Sequence, residues 1–286
     1  MIYWGHRLGT VLTRWFPLWL TYGIAATFSP LVFLIWRDKR ERAIENMLQV
    51  LGPGADRQAA RRLALRSFVN YGKYVVDMLC LGGGAISIAD RRLTVDGWEH
   101  LDAAFQKGKG IVFIGGHIGN SDLGAALIAQ RGYPVNVIAD PLSPPRWDQL
   151  VQQARQAAGL RVIPMGSAIF RSLRVLRERQ VLALLLDRPT HDQGVTIEFF
   201  GRRTRVPGGA AALAVRSGAS VVGGYIVRSG NRYVAAISPE ISRSEDDAGD
   251  DEVQILTQRL FSWLEQVIRK YPDQWFMFRS MWPSDA

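Results

Sequence analysis

Residues 110–124, on which the fold depends, read Gly-Ile-Val-Phe-Ile-Gly-Gly-His-Ile-Gly-Asn-Ser-Asp-Leu-Gly. The apolar run from Ile111 to Ile114 has the length of a buried strand. Two glycines follow it and permit a sharp turn, and the apolar residues after Asp122 predict a helix. His117 therefore lies where a strand passes into a helix. In open α/β sheets this is a common position for functional side chains.

His117 and Asp122 are the first candidates for catalysis. A carboxylate that is hydrogen-bonded to one ring nitrogen of a histidine fixes the tautomer and orientation that a general base needs. Positions five apart on a regular helix lie about 140° apart, so the two side chains meet only if the intervening segment is partly unwound. Gly119 and Asn120 permit such unwinding. The structural alternative is a glycine-rich turn that contains a histidine and a helix-capping residue.

The composition is typical of a globular protein and indicates an anionic partner. Of 286 residues, 48% are hydrophobic and 21% are charged. Thirty-five Lys and Arg against 26 Asp and Glu give a net charge of +9, which favours a membrane surface, a phosphorylated substrate, an acidic protein or nucleic acid. The single cysteine, Cys80, excludes an intramolecular disulfide and a cysteine-based metal site, and the four histidines lack metal-ligand spacing. We expect no metal and no resident cofactor.

The N-terminal part contains an uncharged segment from Trp15 to Trp36 that is long enough to cross the hydrocarbon core of a bilayer. Basic residues flank it, and aromatic residues lie towards its ends, as in aromatic belts. Pro17 and Pro30 are less favourable for a simple span. We expect residues 1–36 to be a membrane anchor that spans the bilayer or lies in its interface. A buried helix pair of a soluble protein is the alternative.

Residues 37–286 are predicted to form one α/β domain. Residues 37–84 have a helical pattern, and short apolar runs then alternate with helical segments, which indicates a parallel or mixed central sheet flanked by helices. The predicted strands are 93–95, 111–114, 135–139, 161–164, 181–186, 221–227 and 233–237. Residues 196–206 form either a further strand pair or a loop.

Several further segments carry a family resemblance when they are taken together with residues 116–122. They are Asp187-Arg ahead of Glu198-Phe-Phe-Gly, Val206-Pro-Gly-Gly, Ala214-Val-Arg-Ser-Gly-Ala, and the ending from Tyr271-Pro-Asp-Gln-Trp to Trp282. In this order they resemble the bacterial lipid A biosynthesis lauroyl/myristoyltransferase family, which includes the phosphatidylinositol mannoside acyltransferases. The resemblance extends from the N-terminal apolar segment to the last tryptophan.

The resemblance implies a glycerol-3-phosphate acyltransferase-like fold and an enzyme of the bacterial cytoplasmic membrane, acting on its cytoplasmic face. The enzyme would move a fatty acyl chain from acyl-CoA or acyl carrier protein to a hydroxyl of a lipid or glycolipid, with no nucleic-acid partner. Asp122 and residues 275–282 are more similar to the mannoside acyltransferase branch. Ser121 departs from the aromatic residue that is common before the acid.

The residues themselves fit acyl transfer. His117 would take the proton of the acceptor hydroxyl, and Asp122 would stabilise the imidazolium that forms. Backbone N–H groups of Gly116 and Gly119 would bind the oxyanion. Ser121 lacks the Gly-x-Ser-x-Gly elbow of an activated nucleophile, so we expect direct transfer without an acyl-enzyme.

Further site residues are implied by matching positions in the family. Arg155 would bind a phosphate of donor or acceptor, with a plain surface arginine as the alternative. Asp187, Arg188 and Glu198 would contact substrate near the site, with a structural ion-pair network as the alternative. Asn120 is expected to be a further substrate contact.

Two other functional classes remain open on the sequence. A soluble α/β esterase or thioesterase would need a nucleophile, and the sequence offers no clear candidate. A non-catalytic membrane-binding protein would use its basic helices, and His117 would then be dispensable.

Overall fold

Helices precede the sheet along the chain. The computed structural model describes residues 2–81, 92–190, 194–241 and 251–282. Its first four helices are α1 (Ile2–Trp15), α2 (Leu18–Ile35), α3 (Arg37–Leu51) and α4 (Arg57–Cys80). The helical pattern predicted from residue 37 is thus confirmed as far as Cys80, and residues 82–84 lie outside the described residues.

The strands and helices that follow alternate as the sequence predicts. The strands are β1 (Leu93–Asp96), β2 (Ile111–Gly115), β3 (Val135–Ala139), β4 (Arg161–Pro164), β5 (Val181–Leu185), β6 (Val195–Phe199), β7 (Arg202–Val206), β8 (Ser220–Ser229) and β9 (Arg232–Glu240). The helices are α5 (Trp98–Gln106), α6 (Ser121–Gln130), α7 (Pro145–Ala157), α8 (Ala168–Arg177), α9 (Gly209–Ser217) and α10 (Glu252–Lys270), with short 3₁₀ turns at Met165–Ser167 and Pro272–Gln274.

The central sheet has seven strands in the order β1-β9-β8-β2-β5-β3-β4. Strands β8, β2, β5, β3 and β4 are parallel, whereas β9 is antiparallel to β8 and pairs in parallel with β1. The carboxyl ends of the five parallel strands therefore meet at one edge of the sheet, which we call the carboxyl edge. The predicted α/β class with a mixed sheet between helices is confirmed.

Burial of β2 explains its apolar sequence. Ile111, Val112 and Ile114 are fully buried because helices cover both faces of the sheet. Residues 195–206 form an antiparallel hairpin, β6–β7, which settles the alternative left open by the sequence. The hairpin turn places Phe200 at a φ of 53°, and the next residue is a glycine at 74°.

Helix α4 lies along the C-terminal tail and holds it in place. Asp56 caps the helix by accepting from the N–H groups of Gln58 and Ala59, both at 3.0 Å. Further along, the Ser67 hydroxyl donates to the carbonyl of Trp275 at 2.8 Å. This contact positions Trp275 beneath the carboxyl edge, where it is fully buried.

The predicted anchor segment is helical but not detached from the rest of the chain. Helix α2 has a mean hydropathy of 1.7, and 17% of its residues are buried. Among the described residues it is the one helix that is long and apolar enough to cross a membrane. It packs along α4, where the hydroxyl of Tyr22 donates to Asp77. The opposite side of α1 and α2 leaves Trp4, Trp15 and Trp19 70–81% exposed. A boundary at residue 36 stays a prediction.

Candidate active site

The turn after β2 is fixed by backbone contacts on both sides. The N–H of Gly119 donates to the carbonyl of Gln274 at 2.9 Å, and the N–H of Phe276 donates to the carbonyl of His117 at 2.8 Å. Gly119 has a φ of 60°, and a Cβ there would lie 1.9 Å from the carbonyl oxygen of Ile226. Glycine is therefore required at this position, and the turn is held between β8 and the C-terminal tail.

His117 is oriented by Asp187. The ring Nδ1 of His117 lies 2.7 Å from Asp187 Oδ1, and the His117 backbone N–H reaches both carboxylate oxygens at 2.9 and 2.8 Å. The indole N–H of Trp275 donates to Asp187 Oδ2 at 2.8 Å. Asp187 is fully buried, whereas the His117 side chain is 25% exposed. Because a carboxylate only accepts, Nδ1 carries a hydrogen, and Nε2 is the ring nitrogen that can take up a proton when the imidazole is neutral.

Asp187 is ionised at neutral pH. Burial by itself raises the pKa of its carboxyl group, but the charge and hydrogen bonds of His117 and the hydrogen bond from Trp275 outweigh burial and leave the pKa below its ordinary value of 3.8. A lowered folded pKa means that the carboxylate contributes to stability at neutral pH. The contribution is lost as the pH falls below the unfolded pKa and through the folded one.

Asp122 is engaged elsewhere, so the prediction that it orients the imidazole is wrong. Arg155 Nε donates to Asp122 Oδ1 at 2.8 Å, and a second guanidinium N–H reaches Oδ2 at 3.4 Å. The hydroxyl of Tyr74 donates to Oδ2 at 3.0 Å. Asp122 lies in the first turn of α6, and this helical geometry turns its carboxylate towards α7 rather than towards His117.

Burial and the charge of Asp122 shift the pKa values of its two partners, Tyr74 and Arg155. Burial raises the pKa of the Tyr74 hydroxyl well above its ordinary value, and the charge of Asp122 raises it further, so Tyr74 remains a donor. Burial alone lowers the pKa of the Arg155 guanidinium, but Asp122 more than offsets this and the net pKa is raised. Asp122 and Arg155 thus form a largely buried ion pair whose side chains are 9% and 17% exposed.

The other predicted residues have different positions. Because the Gly119 N–H is bonded to Gln274, its predicted role in binding an oxyanion is wrong. Asn120 is 4% exposed; its Oδ1 caps α6 by accepting from the N–H of Leu123 at 3.0 Å, and its amide donates to Asp77 at 3.3 Å. The side chain of Asn120 is therefore used within the fold and is not free for the predicted contact with substrate.

Arg188 and Glu198 lie apart from each other and have other partners than the predicted substrate. Arg188 follows Asp187 at the carboxyl edge, is partly exposed and pairs with Asp140. Glu198 is exposed on β6, where its backbone is hydrogen-bonded to Gln258 at 2.8 Å. The structure gives Asp187 a position behind His117 rather than at a substrate surface.

A cavity of about 900 Å³, its open mouth included, lies between α6 and the sheet. It reaches Gly116 and Ile118 on either side of His117. Across the strand order its walls extend from β3 and α7 to β1 and α5. Most of its lining is apolar, and small residues of four neighbouring strands contribute to it, namely Gly115, Ala183, Gly224 and Ala235. Among the residues that the structure describes, Asp122 and Arg155 are the charged groups that line it.

The chain matches a known family over nearly its whole length. Residues 1–284 fit the family described as bacterial lipid A biosynthesis acyltransferase. The chain belongs to this family. It is 28% identical over 287 residues to the phosphatidylinositol mannoside acyltransferase of Mycolicibacterium smegmatis (strain ATCC 700084 / mc(2)155), a match that covers 98% of this chain and 91% of that protein. It is also 28% identical over 251 residues to the protein of the same name from Mycobacterium tuberculosis (strain ATCC 25618 / H37Rv), covering 86% and 78%.

Two contacts of this acyltransferase were missed by sequence reasoning. Trp275 enters the sequence analysis only as part of the closing segment that resembles the family, although its indole donates to Asp187, 88 positions away in the chain. The sequence analysis does not single out Tyr74, although its hydroxyl binds Asp122. No local pattern in the sequence indicates either contact, because both depend on how α4 and the tail pack.

The Asp122–Arg155 pair is expected to contribute to the stability of the acyltransferase. Asp122→Asn leaves the largely buried guanidinium of Arg155 without its counter-charge. The free energy of unfolding should fall by about 3 kcal/mol, the lower end of the loss when a buried pair is broken. Asp38→Asn is a matched control, because Asp38 pairs with Arg42 on the exposed surface of α3. Its effect should stay within about 1 kcal/mol. Equal losses in denaturant titrations of both variants would contradict the structural role of Asp122.

Proposed function

We propose that this acyltransferase moves a fatty acyl chain from a thioester donor directly to a hydroxyl of a membrane glycolipid, with His117 as general base and Asp187 as its orienting carboxylate. The observation that carries the proposal is the position of His117. Its imidazole is held by a buried, ionised carboxylate and lies beside a large apolar cavity. The family supplies acyl transfer to a lipid.

The geometry supports a balanced sequence of steps. Nε2 of His117 accepts the proton of the acceptor hydroxyl as its oxygen bonds to the carbonyl carbon of the thioester. Asp187 stabilises the imidazolium that forms, because its carboxylate lies at Nδ1. When the tetrahedral intermediate collapses, the carbon–sulfur bond breaks and the imidazolium returns the proton to the leaving thiolate. A nucleophile on the protein is not needed.

The acyl chain of the donor would occupy the cavity beneath α6. Each methylene transferred from water to an apolar surface gains about 0.8 kcal/mol, so a long chain gains most from a cavity lined by small apolar residues. The N–H of Gly116 is retained as the proposed donor to the oxyanion, since Gly116 lines the cavity next to His117. Arg155 is retained as a proposed contact of a phosphate group, because it also lines the cavity.

The acceptor is proposed to be a lipid with a sugar headgroup, since the similar mycobacterial proteins are named for phosphatidylinositol mannoside. Helix α2 and the exposed tryptophans of α1 and α2 support attachment to the cytoplasmic membrane, where such an acceptor lies. Acyl-CoA and acyl carrier protein are both retained as proposed donors, and the active site is proposed to face the cytoplasm.

A direct assay tests the proposal. The full chain in detergent is incubated with an acyl thioester and a phosphatidylinositol mannoside acceptor, and the lipid products are analysed by mass spectrometry. The expected product is the acceptor with one added acyl chain, formed together with free thiol. Release of free fatty acid at the same rate with and without acceptor would instead support a thioesterase. Tight lipid binding without turnover would support a non-catalytic protein.

Trp98 is expected to limit the length of the acyl chain. It lines the cavity at the side of β1, and it also lines a surface depression beyond, where the guanidinium of Arg131 lies 4.5 Å from its ring. Trp98→Ala should open the cavity towards this depression, and the preference for donors longer than the wild-type optimum should rise about tenfold in relative kcat/KM.

The matched control is Trp98→Phe, which keeps an aromatic ring at the same position. It should shift the preference much less than Trp98→Ala does. A series of acyl-CoA donors of increasing length measures the effect. An unchanged length profile in Trp98→Ala would show that the chain does not reach this side of the cavity.

A further inference from the structure

The corner between β4 and α8 exposes apolar side chains. Met165, Ile169 and Phe170 are 49%, 65% and 85% exposed. Phe170 is the most exposed large apolar side chain in the described part of the chain, and outside α1 and α2 Ile169 is the next. Single exposed apolar residues are normal on a protein surface, but a cluster of this kind marks an interaction site.

The cluster lies at the same edge of the sheet as His117. Met165 directly follows β4, and β4, β3, β5 and β2 are parallel neighbours, so His117 lies about three strand spacings away, or roughly 14 Å. Leu185, at the end of β5 and 41% exposed, lies between them and lines the cavity. We call Met165, Ile169 and Phe170 the apolar ledge.

Two exposed arginines lie at the same edge of the sheet as the apolar ledge. Arg171 is exposed and directly follows Phe170 in α8. Arg146 is exposed in the first turn of α7, a helix that follows β3 and so begins at the carboxyl edge. Apolar side chains that share an edge of the sheet with arginines match the boundary between the acyl and headgroup regions of a membrane with anionic lipids. A protein partner with a predominantly apolar surface would offer no anionic groups to bind the guanidinium groups.

We propose that the apolar ledge is a second membrane contact, separate from α1 and α2, which inserts into an anionic lipid surface. The proposal rests on the proposed function, because a lipid acceptor is presented at a membrane. Helix α1 packs against α7, so the N-terminal apolar helices adjoin an element that begins beside the ledge. One contact alone would leave the domain free to rotate on the membrane, whereas two contacts turn the carboxyl edge and His117 towards the lipid.

Site-directed labelling tests the orientation. An environment-sensitive fluorophore is attached to Phe170→Cys in the full chain with Cys80→Ser, and mixed vesicles of phosphatidylcholine and phosphatidylglycerol are added. We expect a blue shift and quenching by nitroxide-labelled lipid. The control is Lys109→Cys, because Lys109 is exposed and precedes β2 at the opposite edge of the sheet; its label should stay in water.

The labelling outcomes separate the two proposals. If the protein sediments with vesicles but the label at position 170 stays in water, the ledge proposal is wrong and membrane association stands. Equal quenching at both positions would also overturn it. If the protein does not sediment with vesicles at all, membrane association fails and the ledge proposal fails with it. A label shielded without lipid present would indicate a second protein chain at this surface, which likewise contradicts the proposal.

Kinetics provide an independent measurement. The double variant Ile169→Ser and Phe170→Ser should raise the apparent KM for acceptor in anionic vesicles about tenfold, since two apolar side chains no longer enter the lipid. With acceptor in detergent micelles, both kcat and KM should be unchanged, which excludes a folding defect. Arg146→Gln and Arg171→Gln should each raise KM only with anionic vesicles. Equal losses in vesicles and micelles would contradict the proposal.

Discussion

His117→Ala is expected to lower the rate of acyl transfer by about 10²–10⁴-fold, the usual contribution of a positioned general base. The physical reason is that Nδ1 of His117 is bonded to Asp187, so Nε2 is the ring nitrogen that accepts the proton of the hydroxyl in the proposed mechanism. The initial rate is measured at matched protein concentrations with saturating thioester and acceptor. Binding of the acyl donor should change little, because the cavity lies beneath α6 and most of its lining is unaffected.

The control for this variant is His100→Ala, which removes a half-buried imidazole in α5. It should retain near wild-type turnover. A His117→Ala enzyme that also retains wild-type turnover would remove proton transfer by His117 from the mechanism.

Ala183→Trp is expected to abolish transfer of long acyl chains. Ala183 is half-buried on β5 and lines the cavity, so an indole there would fill space proposed for the chain. We expect kcat/KM for long-chain donors to fall by more than about 100-fold, because several methylenes lose their apolar surroundings. For a short donor such as acetyl-CoA, kcat/KM should stay at the wild-type value, so the preference for short over long donors should rise.

Ala212→Trp is the matched control for this prediction. Ala212 is exposed on α9 and does not line the cavity. The same addition of volume there should leave the donor profile unchanged. If Ala183→Trp stays folded in thermal unfolding and still transfers long chains at the wild-type rate, the acyl chain binds elsewhere.

The fold could be predicted because its signals are local. The apolar run from Ile111 to Ile114 and the glycines after it specify a buried strand and a turn, and similar runs recur along the chain. Assignment of residues 195–206 needed the structure, since the hairpin depends on packing of Phe199 and Phe200 against Trp275 and Trp282.

The partner of His117 could not be predicted because it depends on strand order. Strands β2 and β5 are adjacent and parallel, with Gly115 opposite Leu185. Two residues beyond each strand, His117 and Asp187 therefore meet, although they are 70 positions apart in sequence. A sequence shows that both strands exist but not that they are neighbours. The nearby Asp122 was the plausible choice, and the helix that begins at Ser121 directs it towards Arg155 instead.

The most direct test of the account is a comparison of acyl-transfer rates for His117→Ala, Asp187→Asn and the double variant. If Asp187 acts by orienting and stabilising His117, Asp187→Asn alone should slow transfer strongly, and the double variant should be no more than about threefold slower than His117→Ala. The amide nitrogen that Asp187→Asn introduces faces N–H groups of His117 or Trp275, from which the carboxylate oxygens now accept. Circular dichroism and thermal unfolding therefore have to show that the variant is folded before its rate is compared. Losses that multiply in the double variant would contradict the account, because the two residues would then act independently.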